Sequence, residues 1–524
     1  METIDDGNDQ AAQLPPKGSG TLKRRTLRNV ISNWAGFIVD VLVTLGLTPV
    51  LVAQLGDEGY GVWILIGSLA GYLLMLDFGL RGSMGRFVAF YRGRSDKEGV
   101  LRTANTAMLV LIGVGAVVAL LLVLSSFALH RIFTLEPEHL AQGRTALLII
   151  AVQMGIGLSL SAFDAVLWGH ERFDLINLTD ASTAVLRGVL MAAVVLSGFG
   201  MVGMAWAALF GTVFRAVCKW WSCRVAAPDF RISLRTASWA TLREIGPYGF
   251  WNFLLSISNV ARQHFNPIVV GTVLSAAAVT PFSIAARLVG YGNQLLLTTV
   301  SVLAPVMTAN FARDDVGSRI SLVVRSGRIC SAYALFIVSA ALLVGDVFLE
   351  VWMRKNLPGA AVAMGILVLG EWLPMAVHPY GTAVQALAEQ RPIAWRGIAE
   401  CLLGLGVAFL VGPTYGLYGM AMGFAVSAAW FRGVFLLRYG GRHYGPTAGV
   451  YVREVIAPVL AYGAVPVSLF AALVQWRRPA GLVELAIDVA LFGVVYLAFM
   501  SRCIPEVRDI RRLCRTIFAR PAVP

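Results

Sequence analysis

Fourteen apolar segments recur along the chain, each near the length of one bilayer crossing and separated by polar connections. They fall at about 30–54, 61–80, 103–127, 145–168, 175–196, 199–218, 246–271, 276–306, 329–349, 360–386, 397–411, 416–431, 455–474 and 484–501. Lipid offers no partner to a backbone N–H or C=O, so such segments must fold as helices that satisfy their own main chain. The pattern predicts an all-α integral membrane protein with fourteen transmembrane helices: two six-helix repeats plus two extra C-terminal helices. Composition agrees, since 57% of the 524 residues are hydrophobic and only 14% are charged. Soluble domains carry nearly twice that charge. The longest connections, about 128–143 and 219–245, leave no room for a separate catalytic domain, and no lysine follows a glycine, which excludes a Walker A loop.

The net charge of +13 has a topological reading. With the N-terminus inside and spans alternating, 32 of the 43 Lys and Arg residues fall on inside segments, 6 on outside loops and 5 within spans. That split follows the positive-inside rule and places both termini in the cytoplasm. Trp352 and Trp476 are expected at the outer interface. Nucleic-acid binding is not expected, because the charges are scattered between apolar runs; anionic membrane lipid is the expected counterpart. Six cysteines form no C-x-x-C pair and show no zinc spacing, so no metal site is expected.

A shift of 219 residues superposes span one on span seven and span two on span eight, with Asn33/Asn252, Val41/Val260, Leu55/Leu274, Gly71/Gly290 and Tyr72/Tyr291 identical. The expected organisation is a disordered cytoplasmic tail (1–25), an N-terminal six-helix bundle (26–222), a C-terminal six-helix bundle (240–440), helices 13–14 (450–502) and a basic cytoplasmic tail (503–524). Repeats of this kind place a substrate site between the two halves.

The stretch after span one reads Leu55-Gly56-Asp57-Glu58-Gly59-Tyr60-Gly61-Val62-Trp63, then Leu76-Asp77-Phe78-Gly79-Leu80, then Arg86 and a basic loop. It resembles the start of the polysaccharide-biosynthesis transporters, the Wzx-type flippases of the multidrug/oligosaccharidyl-lipid/polysaccharide (MOP) exporter superfamily. The resemblance implies a fourteen-helix, non-enzymatic carrier in a bacterial inner membrane. It would move polyprenyl-pyrophosphate-linked oligosaccharide from the cytoplasmic to the periplasmic leaflet, beside a polysaccharide polymerase and glycosyltransferases. Two other readings stand beside it: a cation-coupled multidrug exporter of the same superfamily, and a membrane polysaccharide polymerase or ligase.

Charges inside the membrane cost roughly 2.5–3.5 kcal/mol each and ask for a reason. Asp40, Arg187, Arg262, Arg287 and Glu371 fall near mid-depth, and Asp77, Arg81, Asp164, Arg215 and His378 lie nearer the cytoplasm. Polar stripes at helical spacing run through Asn252, Asn259 and Asn266, and through Thr280, Ser283, Arg287, Gln294 and Thr298. They point to a shared aqueous cavity, or else to hydrogen bonding between helices. The substrate-binding candidates are Arg262, Arg287, Arg187, Asn259, Asn266 and Gln294, because guanidinium forks grip phosphate oxygens in pairs. Arg262 and Arg287 bind an anion or pair with Asp40 or Glu371; Arg187 contacts ligand or pairs with Asp180. Asp77 and Arg81 pair locally. Asp164 reads as a capping carboxylate and His264 as a packed ring. Asp40 and Glu371 are the carboxylates that would couple transport to H+ or Na+. No cofactor and no catalytic residue is expected.

Overall fold

The computed structural model describes residues 19–77, 80–133, 135–245, 264–300, 316–386 and 390–504. Helix α1 (Ser19–Leu73) is too long to cross a bilayer once, at about 80 Å if straight. It folds at Gly56, whose φ of 71° is open to glycine and strained for other residues. Then come α2 (Leu80–Gly93), α3 (Lys97–Ile132), α4 (Pro137–Ser159), α5 (Ser161–Gly169), α6 (Phe173–Leu196) and α7 (Gly200–Ala226). Two of these starts have a local cause: Asp96 accepts from the Gly99 N–H at 2.8 Å to cap α3, and proline opens α4.

The second half begins with α8 (264–273), which breaks at Leu274–Ser275 before α9 (Ala276–Val300). It continues through α10 (Val316–Met353), α11 (Ala360–Ala376) and α12 (His378–Ala386), the last two bent by 51°. Helix α13 (Gln390–Ala428) turns on Gly416 (φ 56°) and passes through a π-helical turn, Ala429–Phe435, into α14 (Leu436–His443). Helices α15 (Ala448–Trp476, with a π turn at Val452–Ile456) and α16 (Leu482–Cys503) end the described chain. Among the described residues nine helices are long and apolar enough to cross a membrane, or ten if the bent pair is one span.

Small residues let these helices approach closely. A Cβ on Gly115 would lie 2.7 Å from the Gly155 carbonyl, so α3 and α4 touch main chain to main chain. The apolar core is asymmetric. At the end that carries the Gly56 turn, one continuous cluster runs through both halves, from Leu51, Tyr60 and Leu65 through Val270, Ala276 and Phe282 to Met364, Ala408 and Met420. Away from that end the described residues form separate clusters in each half. The first half closes around Met84, Leu111, Phe163 and Val166; the second closes around Val323, Tyr380 and Tyr451. Among the described residues the two halves therefore share apolar core at the end that carries the Gly56 turn.

The connection after α7 belongs to the first half. Buried Asn105 donates to the Arg231 carbonyl (3.1 Å) and to Thr236 (2.9 Å) and accepts from the Ser233 N–H (3.2 Å). Tyr91 donates to Glu244 at 2.8 Å; burial and then this bond push its phenol up. The Lys97 ammonium, 2.6 Å from Asp229, holds that carboxyl below its ordinary range. Helices α15 and α16 pack on α10 through stacked Phe336, Phe470 and Phe492, and Tyr496 donates to the Ala332 carbonyl at 2.7 Å.

Candidate substrate cavity

Helix α1 and helix α9 run along each other from the Gly56 turn towards mid-helix. At the turn, Thr280 donates to the Asp57 carbonyl at 2.6 Å and Lys355 pairs with the Asp57 carboxylate at 2.8 Å. A Cβ on Gly61 would lie 1.9 Å from the Ala276 carbonyl, so the backbones meet there. Deeper in, Trp352 donates its indole N–H to the Leu45 carbonyl at 2.8 Å. Trp352, expected in the outer aromatic belt, lies between the halves, three residues before Lys355, and Trp476 is 86% exposed.

Below this seam Thr44, Leu45, Thr48, Tyr60, Ser283, Ile284, Arg287, Leu288, Tyr291 and Trp352 line a small, mostly apolar pocket between α1, α9 and the end of α10. Tyr291 meets Phe37 edge-on at 6.3 Å. Arg187 comes from the other wall, on α6, with its stem packed along α7 at Gly211. It lies within Coulombic range of Asp40, Arg215 and Arg287. Asp40, Arg187 and Arg287 are all exposed to solvent although protein surrounds Arg187. The structure thus brings together one arginine from each half and the α1 carboxylate.

The Arg187–Asp180 pairing is not what forms. Asp180 takes Arg215 (3.0 Å) and Lys219 (3.1 Å) from α7. Asp164 joins the same group through Arg215 (3.2 Å) and Lys219, so it is an ion-pair member rather than a cap. Two carboxylates and two cations balance, and Lys219, assigned from sequence to a cytoplasmic loop, is only 1% exposed. This quartet uses the charge of Arg215 locally.

Glu371 is likewise engaged elsewhere. Arg432 donates through Nη1 to its Oε2 at 2.8 Å and through Nη2 to its Oε1, and through Nε to Glu400 at 2.7 Å. Asn293 adds a long contact of 3.4 Å. The triad lies inside the second half, with all three side chains 16% exposed or less. It is not available to Arg287 as a partner. The π turn carries Arg432, and π turns often mark functional positions. Sequence reading had placed Arg432 in a cytoplasmic loop; its only signal was an arginine followed by Gly-Val-Phe-Leu-Leu, which extends the apolar run.

The remaining candidates divide. Gln294 lies seven residues along α9 from Arg287, on the same face, and is exposed; Asn266 on α8 is half-buried. Arg262 and Asn259 lie outside the described residues, as do the side chains of Asp77 and Arg81. His264 packs against Gly71, whose Cβ would fall 2.2 Å from the ring.

Residues 26–311 match the model of a family described as polysaccharide biosynthesis protein. The chain belongs to that family. The matched segment contains Asp40, Arg187 and Arg287 but not the Glu371–Arg432–Glu400 triad. Among similar proteins are an uncharacterized membrane protein, EpsK, of Bacillus subtilis strain 168 (24% identical, covering 92% of this chain and 96% of that one) and a putative O-antigen transporter of Shigella flexneri (23%, covering 76% and 94%). The fold is that of MOP-superfamily transporters. An inward-facing multidrug resistance MATE family transporter superposes with a TM-score of 0.68 at 17% identity, covering 81% of this chain and 99% of that one. A Pyrococcus furiosus MOP transporter, described as having a binding pocket of reverse polarity, gives 0.61 at 19%, covering 80% and 95%. The polysaccharide biosynthesis protein described here is thus a multi-pass membrane transporter of the Wzx-type flippase family.

Proposed function

We propose that this family member flips a polyprenyl-pyrophosphate-linked oligosaccharide from the cytoplasmic to the periplasmic leaflet by alternating access. The observation that carries the reading is that Arg187 of the first half and Arg287 of the second lie within electrostatic range of each other, with Asp40 of α1 in range of Arg187. Two guanidinium forks suit a pyrophosphate, which offers paired oxygens and more than one negative charge. The glycan would occupy the polar cleft below, lined by Gln294, while the prenyl chain stays in lipid. A cationic drug would meet two arginines in the same place, which disfavours the multidrug reading. No large external loop carries chemistry for a polymerase or ligase.

Orientation follows from charge. Arg94, Arg319 and Arg442 lie on segments assigned inside, and the Gly56 turn lies outside, so the cleft opens to the cytoplasm. Fourteen spans remain our reading: the folds at Gly56 and Gly416 each divide one long helix into two, and α8 and α9 add two more. The 219-residue offset aligns Gly56 with Ser275, where the α8–α9 break falls, which supports the repeat. In this reading both termini are cytoplasmic, the membrane is the bacterial inner one, and a polymerase and glycosyltransferases act on the same glycan. Coupling to H+ or Na+ rests on Asp40, because Glu371 is held by Arg432.

The test is an Arg187→Ala/Arg287→Ala variant, scored by glycan export in a strain lacking the protein, with membrane abundance checked by blot. Each charge-assisted contact contributes roughly 1.5–3 kcal/mol, so each loss weakens headgroup binding by about ten- to a hundredfold. Arg287→Lys keeps the charge without the fork and should recover only part. Full export by the double variant at normal abundance would refute the proposal.

A further inference from the structure

We propose that Glu58, Glu136 and His139 form a divalent-cation site, of the zinc class, at the rim of the seam. The three side chains come from two places: Glu58 from the turn just past Gly56, Glu136 and His139 from the start of α4. One ligating atom from each lies within 4.8 Å of the other two. His139 Nδ1 is 3.5 Å from Glu58 Oε1 and 3.8 Å from Glu136 Oε2. Those gaps exceed an ordinary hydrogen bond. They match ligands around a tetrahedral ion, where bonds of about 2.1 Å put donor atoms roughly 3.4 Å apart.

A second observation points the same way. His139 Nδ1 is shielded from solvent and makes no hydrogen bond, although 22% of the side chain is exposed; its neighbours are the two carboxylates, and an ion between them would take its lone pair. The Nε2 edge of the ring lies beside Gly59, where a side chain would crowd it. Glu58 is also preset: its Oε1 accepts the Glu136 N–H at 3.0 Å. Two carboxylates and a neutral imidazole balance a 2+ ion, and the imidazole favours zinc over calcium or magnesium. Glu136 is 70% exposed, so an ion can enter and a water can complete the shell. The ligands are split between a turn and a helix start 78 residues apart, and sequence spacing carries no signature for that arrangement. A bound ion would clip the turn that carries Gly61 to α4.

The experiment uses the full chain purified in detergent without a histidine tag and treated with chelator. Cobalt(II) is titrated as a probe, followed by its visible absorption bands, then displaced with zinc; bound metal is counted by elemental analysis. The expected result is one tightly held ion, imidazole-containing by its bands, and weakened at least about 100-fold in both His139→Ala and Glu136→Gln. That loss exceeds what a neighbour of the ligands would cause. Glu136→Gln changes an exposed side chain, so it stays informative should His139→Ala misfold. Absence of such bands in the wild type, or unchanged affinity in Glu136→Gln, overturns the site. Export assays do not enter, so the outcome is independent of the transport proposal.

Discussion

Replacing Arg432 by methionine tests whether the buried triad holds the second half together. The arginine makes three hydrogen bonds to two carboxylates, and Glu371 and Glu400 retain only 16% and 9% of their side-chain exposure. Taking away the cation leaves both acids facing the space it filled. Breaking a buried pair in this way costs about 3–5 kcal/mol, a shift of roughly 200- to 5,000-fold in the folded fraction. The assay is membrane abundance together with thermal unfolding of the detergent-extracted protein. A neutral version, Glu371→Gln/Glu400→Gln/Arg432→Met, should regain most of the loss, because no charge is then stranded. It should also export glycan, since coupling is assigned to Asp40. An Arg432→Met protein of normal abundance and unfolding midpoint would refute the structural role. A stable neutral variant that cannot export would move the coupling site to Glu371.

Two further outcomes follow from the seam and the charge map. Gly61→Ala inserts a methyl group 1.9 Å from the Ala276 carbonyl, and overpacking costs about 1–3 kcal/mol, so the joined end should open; a cysteine at Thr48 should then react faster with an impermeant thiol reagent applied outside, and an unchanged rate would contradict the seam. In a cysteine-free background, cysteines at Arg354 and Arg477 should react from outside in intact cells while those at Arg94 and Arg442 stay silent, and the reverse pattern would invert the orientation.

Much of the fold was legible because lipid permits so little else. Apolar runs of the right length, with basic residues on alternate connections, specify a helical bundle before any contact is known. Arg187 and Arg287 stood out in the sequence as charges inside apolar runs, and the structure brings them into electrostatic range of each other. Their neighbours were harder. Asp180 stands seven residues before Arg187 on one helix, and periodicity suggests a pair, yet α7 lies closer and supplies Arg215 and Lys219. Periodicity reports which face a residue shares; it carries no information on which helix packs there. Arg432 was missed for a related reason. The π turn prolongs the helix beyond the last strongly apolar stretch, so a buried arginine looked like the first residue of a loop. Trp352 carried the signal of an interfacial residue and became part of the seam, because the end of α10 packs towards the opposite half.

The contact between Gly61 and the Ala276 carbonyl has a consequence for how specificity can vary. The tightest point of the closure is peptide against peptide, so it depends on helix geometry and on the absence of a side chain rather than on any matched pair. The residues proposed to meet cargo lie away from that contact, Arg287 and Gln294 further along α9 and Arg187 on α6. On the proposed function, recognition and sealing are therefore separable: the residues proposed to meet cargo can change while the backbone contact stays untouched.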